Sequence, residues 1–225
     1  MTPEIVASVL GADYTRLGDE VKELEEAGVD GIQWDVMDGR FVPNITFRHD
    51  VVLACRKLTR VAFEAHLMVV EPWHWVEAYV SAGCDRVIVH AEADPHPHRT
   101  LSVIRQAGAE AGVALNPSSS RAIVSHILDL IDMVVVMTVN PGFGGQRYLD
   151  TMEPKIGKIR EMIGEREIAL EVDGGIKPGT ITRAHAAGAD RFISGSGILG
   201  HPGGKKDAVE GLRSALYVEK VLASR

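Results

Sequence analysis

Short runs rich in valine and isoleucine recur along the chain, separated by longer segments in which apolar residues return every three or four positions. Runs of the first kind predict buried strands, and segments of the second kind predict amphipathic helices. Eight runs stand out: Glu4 to Ser8, Gly31 to Val36, Ala62 to Met68, Arg86 to His90, Val113 to Asn116, Met133 to Thr138, Ile168 to Asp173 and Arg191 to Ser194. Their spacing is close to one eighth of the chain, as eight βα units require. A weak repeat supports the count. Ala27-Gly28-Val29-Asp30, Ala82-Gly83-Cys84-Asp85 and Ala187-Gly188-Ala189-Asp190 each stand before a run, and Ala111-Gly112-Val113 is a partial copy. Each reads as a helix stop, where glycine takes a left-handed conformation before the next strand. The expected fold class is α/β, a single (β/α)8 barrel over residues 1–225. A doubly wound open sheet would give the same local signals, so the polar residues at the run ends must decide between them.

Composition narrows the setting. The 225 residues are enough for one buried core, and no linker divides them. Hydrophobic residues make up 45% of the chain, but no run is long enough to cross a bilayer and Met1 to Ser8 carries no leader pattern. A soluble, unprocessed, cytoplasmic protein is expected. The formal charge of −7 argues against a nucleic-acid or anionic-membrane partner, because either needs a basic face. Cys55 and Cys84, the two cysteines, lie in apolar helix-like stretches without a CxxC pairing, which argues against both a disulfide scaffold and a thiolate metal site.

Barrel enzymes carry their chemistry at the carboxyl ends of strands. Ser8 ends the first run; Gln33, Asp35 and Met37 follow the second at spacing two, so they share one face while Trp34 and Val36 take the other. His66 and Met68 repeat this on the third. His90, Asn116, Met137 and Asp173 stand at the ends of the fourth to seventh. An isolated Asp35 would be read as capping the Asp38-Gly39 turn, and an isolated His66 as a satisfied core histidine. Two strand-end aspartates on roughly opposite sides of a barrel mouth change that reading, because they suit a two-base reaction with Asp35 and Asp173 as acid and base. His66 beside them reads as a ligand. Met37, Met68 and Met137 are gap-filling core residues by type, or a water-excluding ring around a developing charge by position. His90 lies near the site without an assigned role, and His96 and His98 read as solvated.

Glycines cluster where a phosphate is usually held. After the sixth run comes Asn140-Pro141-Gly142-Phe143-Gly144-Gly145-Gln146, a lid-like segment with one aromatic residue. Gly174-Gly175 follows the seventh run, and Gly195-Ser196-Gly197 the eighth. Backbone N–H groups at such turns bind an anion without side-chain charge, which reconciles a phosphate ligand with an acidic protein.

Taken together, Ala7-Ser8-Val9-Leu10-Gly11-Ala12-Asp13-Tyr14, Trp34-Asp35-Val36-Met37-Asp38-Gly39-Arg40-Phe41-Val42-Pro43-Asn44, His66-Leu67-Met68-Val69, Met137 to Gln146, Val172-Asp173-Gly174-Gly175-Ile176 and Gly195-Ser196 resemble the ribulose-phosphate 3-epimerase family along nearly the whole chain. The resemblance implies interconversion of D-ribulose 5-phosphate and D-xylulose 5-phosphate by proton transfer at C3 through an enediolate, with Asp35 and Asp173 as the two bases. It implies a divalent metal ion, Zn, Mn, Fe or Mg, held by Asp35, His66 and Asp173. Ser8, His66, the three methionines, Gly142, Gly144, Gly145, Gly174, Gly175, Gly195 and Ser196 would contact the sugar phosphate. A homo-oligomer is also implied.

Two positions depart from the family pattern. Gln33 stands where a histidine is usual, so the amide either ligates a harder ion through its carbonyl, leaves the site without metal, or reads a sugar hydroxyl. Ala7 replaces a usual proline. Hexulose, tetrulose or heptulose phosphates are the alternative substrates within the same chemistry, and a catalytically silent sugar-phosphate binder is the alternative from another class. Decarboxylases and hexulose-phosphate synthases of related fold carry Asp-x-Lys-x-x-Asp on the second strand, whereas Asp35-Val36-Met37-Asp38 has no lysine.

Overall fold

A computed structural model describes residues 2–223. Its eight strands are β1 (Glu4–Ser8), β2 (Gly31–Met37), β3 (Ala62–Met68), β4 (Arg86–His90), β5 (Glu110–Leu115), β6 (Met133–Met137), β7 (Ala169–Asp173) and β8 (Arg191–Ser194). All pair in parallel with their sequence neighbours, and β8 pairs with β1, so the sheet closes into a barrel. The open-sheet alternative is thereby excluded. The helices are α1 (Leu17–Glu26), α2 (His49–Arg56), α3 (Val76–Ser81), α4 (Pro97–Gln106), α5 (Glu153–Ile163), α6 (Pro178–Ala186), α7 (Ser196–Leu199) and α8 (Gly204–Ala223). Among the described residues no helix is long and apolar enough to cross a membrane.

Strand parity divides the core in two. Outward residues such as Ile5, Ile32, Trp34, Phe63, Val87, Val134 and Phe192 are buried against the surrounding helices. Inward residues fill the barrel, and the register places Gln33 opposite Glu64, Asp35 opposite His66, Met37 opposite Met68, and Met137 opposite Asp173. A fully buried side chain of this size contributes on the order of 1.5–3 kcal/mol, so the outer layer dominates stability and leaves the barrel interior free to carry polar groups.

Gly28, Gly83 and Gly188 end their helices at φ of 84°, 94° and 114°, as the repeat predicts. The partial copy does not behave this way. Gly112 lies inside β5, and the helix stop is Gly108 at φ 90°. Gly112 is an interior position: a Cβ there would meet Met133 Cγ at 2.7 Å and Ile88 Cγ1 at 2.8 Å, so glycine makes room for barrel filling. The same error placed the start of the fifth strand three residues late. Cys84 lies between α3 and β4 instead of in a helix, and both cysteines are free and buried. The fifth unit has no α-helix after its strand; the Pro117 and serine-rich turn there leads into a 3-10 segment, Arg121–His126.

Below the mouth the barrel holds charges that the apolar runs conceal. Glu64 and Glu171 are fully buried, with Arg86 Nη1 3.7 Å from Glu64 and Arg191 Nε 3.8 Å from Glu171. Arg191 Nε also meets Glu4 at 2.9 Å, and Arg86 Nε meets Glu110 at 2.9 Å. Burial pushes the Glu64 carboxyl up to about 7 against the pull of the two arginines. Burial, reinforced by the Glu64 charge, also holds Glu171 well above the ordinary range. As pH rises from the ordinary 4.5 to about 7 the unfolded chain loses the Glu64 proton before the folded chain does, so stability falls across that window. In denaturant titrations over the same window Glu64→Gln should lose less stability with rising pH than wild type. Parallel pH profiles for the two proteins would contradict this role for the buried carboxyl.

Candidate active site

Asp35 and Asp173 approach the same nitrogen from different strands. Asp35 Oδ1 lies 3.2 Å and Asp173 Oδ2 3.4 Å from His66 Nδ1, and the three donor atoms fall within 4.8 Å of one another. Ser8, at the end of β1, donates its hydroxyl to Asp35 Oδ2 at 2.6 Å and accepts the Leu10 N–H at 3.3 Å. Its one proton is therefore committed to the carboxylate. Burial works against charge on His66, but hydrogen bonds and charges from Asp173 and Asp35 overcome it and raise the imidazole to about 10. Burial likewise raises Asp173, an effect opposed by its His66 hydrogen bond and reinforced by the Asp35 charge. Two carboxylates around one ring nitrogen require a positive charge among them. A proton on Nδ1 supplies it, and the donor set also suits a divalent cation.

These groups form the floor of a cavity of about 470 Å³ at the barrel mouth, lined by Ser8, Asp35 and Asp173. Met37, Met68 and Met137 line it too while remaining at most 4% exposed, so they fill the core and cover the cavity at once. Gly142, Gly144, Gly145, Gly174, Gly175, Gly195 and Ser196 complete the wall on the β6, β7 and β8 side. His66 and Gln33 are fully buried and lie beneath this lining. His96 and His98 are exposed at the start of α4, as expected.

Several loop residues carry weight that sequence reasoning missed. The turn after β2 is capped by Asp38, which accepts the N–H groups of Arg40, Phe41 and Val70 at 2.8–2.9 Å, leaving Asp35 free to face the cavity. Thr46 donates its hydroxyl to the Asp35 carbonyl and accepts the Met37 N–H at 3.0 Å, bracing the carboxyl end of β2. Asn44 ties that turn to the lid-like segment by donating to the Gly142 carbonyl at 2.9 Å. Gln146 closes the segment on itself through the Asn140 and Phe143 carbonyls, and Phe143 remains 54% exposed.

Residues 4–199 match the model of the ribulose-phosphate 3 epimerase family. The chain belongs to this family. The ribulose-phosphate 3-epimerase of Rhodobacter capsulatus is 47% identical over 87% of this chain and 86% of its own length. That of Synechocystis is 44% identical over 98% and 97%. These relatives are epimerases, and the chain is an enzyme of that isomerase class. The fold extends further. 3-Hexulose-6-phosphate synthase from Salmonella typhimurium superposes with a TM-score of 0.72 at 18% identity, covering 95% of this chain and 98% of that one. The 3-keto-L-gulonate-6-phosphate decarboxylase of Vibrio cholerae superposes with a TM-score of 0.71 at 18% identity, covering 96% and 98%.

Within this candidate site Gln33 turns its amide nitrogen inward, 3.3 Å from His66 Nδ1 and 3.5 Å from Asp173 Oδ2. Its Oε1 is buried without a partner. The side facing Asp173 is thus a donor, and a half-turn of the amide would bring the carbonyl to the same place. His90 sits directly behind His66, edge to edge, with Nε2 2.9 Å from Nε2, ring centres 5.0 Å apart and ring planes only 17° from parallel. Burial drives His90 down to about 4 against the opposing hydrogen bond from Glu92.

The cavity-lining turn after β7 depends on backbone that only glycine adopts readily. Gly175 has φ 69°, and a Cβ there would run into the Tyr148 backbone. Gly175→Ala should cost about 1–3 kcal/mol of unfolding free energy. Gly179→Ala, with open space around its Cβ position, should cost nothing or stabilise slightly. Equal losses for the two in chemical denaturation would refute the assignment.

Proposed function

We propose that this chain interconverts D-ribulose 5-phosphate and D-xylulose 5-phosphate by moving a proton at C3. The observation that carries the reading is the pair of carboxylates, Asp35 and Asp173, brought to one cavity floor by strands that are not neighbours. Inverting a carbon next to a ketone needs a base on one face of the sugar and an acid on the other. Asp173, whose carboxyl holds its proton above the ordinary carboxylate range, serves as the acid in one direction. Asp35, steadied by Ser8, serves as the base, and the two exchange roles in reverse. Between the two proton transfers C3 is planar and its electron pair is delocalised onto the C2 oxygen as an enediolate.

The surrounding residues divide the rest of the task. Met37, Met68 and Met137 keep water from the planar carbon, so that the proton returns from an aspartic acid. Gly144, Gly145, Gly175, Gly195 and Ser196 present backbone N–H groups to the substrate phosphate, which supports the preference for a phosphorylated ketose. Gly142 and Gly174 shape those turns with φ near 120°. Asp35, His66 and Asp173 would hold a divalent ion, zinc, manganese, iron or magnesium, whose Lewis acidity stabilises negative charge on the enediolate oxygen. Gln33 in place of the family's usual histidine gives the harder ions a larger share, while the imidazole and two carboxylates that remain are donors zinc accepts.

The test compares ribulose 5-phosphate with hexulose, tetrulose and heptulose phosphates, before and after chelation, with bound metal measured. The largest kcat/KM should belong to the ribulose 5-phosphate and xylulose 5-phosphate pair. Asp173→Asn should retain the fold and lose at least ~10²-fold in turnover, the lower end of general acid–base contributions. Near-wild-type turnover in that variant removes Asp173 from its role, and binding of ketose phosphates without exchange at C3 makes the protein a silent binder.

A further inference from the structure

The proton positions behind the site can be read from its far end. His90 Nδ1 lies 3.2 Å from Glu92 Oε2, and Glu92 Oε1 accepts the Asn116 backbone N–H at 2.8 Å. An amide N–H can only donate and a carboxylate can only accept, so Glu92 is anchored as an acceptor and His90 carries its hydrogen on Nδ1. The Nε2 of a neutral His90 is then bare. Two ring nitrogens 2.9 Å apart share one hydrogen, since two lone pairs repel and two N–H groups clash, and beside a fully buried, neutral His90 that hydrogen belongs to His66 Nε2. Bulk solvent does not reach it: both rings are fully buried, and Phe41 covers His90 with ring centres 4.8 Å apart. The order begins with two groups that cannot change roles, the Asn116 backbone N–H and the Glu92 carboxylate.

We propose that Glu92 and His90 are positioning residues that fix His66 as its Nε2–H tautomer, so that Nδ1 offers its lone pair to a cation held between Asp35 and Asp173. The inference rests on the reading of that space as a cation site. Without a cation a proton on Nδ1 answers the two carboxylates at 3.2 and 3.4 Å, and an entering cation displaces that proton and takes the lone pair. The relay therefore poises the ring as a ligand, as an outer partner does for a metal-bound histidine. Neither residue touches the substrate cavity, and neither was assigned a role from the sequence.

Glu92→Gln tests this with almost no change in shape. The amide oxygen stays on the Asn116 N–H, the amide NH2 turns to His90 Nδ1, and each hydrogen down the line reverses until His66 presents an N–H to the site. The zinc dissociation constant, measured by competition with a chromophoric chelator, should rise about 10- to 100-fold. The loss of turnover should be recovered at saturating zinc. In zinc-loaded wild type, 15N NMR of the imidazole rings should show His90 protonated at Nδ1 and bare at Nε2. An unchanged zinc affinity in Glu92→Gln, a His90 protonated at Nε2, or a wild-type chain that takes up no zinc overturns the proposal. Thermal melting verifies that the variant folds, and if it does not, the wild-type tautomer decides alone. The outcomes also separate this inference from the function. Wild type with the expected tautomer and zinc uptake but no epimerisation of any ketose phosphate removes the function and keeps the relay; epimerisation with Glu92→Gln unchanged in zinc affinity does the reverse.

Discussion

Two carboxylates held against one imidazole nitrogen are the constraint around which this barrel mouth is arranged. Asp35 and Asp173 come from strands separated by β1 and β8, yet both reach His66 Nδ1 within 3.4 Å. An eight-stranded barrel is narrow enough for inward side chains from across the ring to meet, and here the meeting groups carry like charges. Left alone they would repel. His66, buried between them and raised to about 10, shows how strongly the pair calls for positive charge. The same demand makes the arrangement suited to a divalent ion and, through the raised Asp173 carboxyl, to delivering a proton.

The rest of the interior serves that demand from below and behind. Glu64 and Glu171 with Arg86 and Arg191 form a charged floor that an apolar barrel would lack. Behind His66, ring contact with His90 and then Glu92 leads to a backbone N–H that can only donate. In front, Thr46 braces the end of β2, and Asn44 links the turn after β2 to the segment after β6. The glycine segment after β6 is thus fastened to the turn that follows Asp35, which couples two walls of the cavity.

Much of this could be read from the chain. Period-two parity placed Gln33, Asp35, Met37, His66 and Met68 on the inner face, and the register confirms those positions. The glycine stops at Gly28, Gly83 and Gly188 were legible because a left-handed residue before an apolar run leaves a local mark. Gly112 carries the same letters for a different reason, the space needed by Met133 and Ile88, and that reason lies on neighbouring strands. Glu64, Arg86, Glu171 and Arg191 escaped notice because each looks like a polar interruption until its partner across the barrel is known. His90 and Glu92 were obscure in the same way, since their significance depends on a ring-to-ring contact between β3 and β4.

The proposed transfer at C3 between two carboxyl groups has a direct isotopic signature. With wild-type enzyme in excess over D-ribulose 5-phosphate deuterated at C3, in ordinary water, a single turnover should give xylulose 5-phosphate bearing hydrogen at C3, the deuterium passing to solvent. Product that keeps its deuterium at C3 would mean that one group removes and returns the same atom, and it would contradict the account.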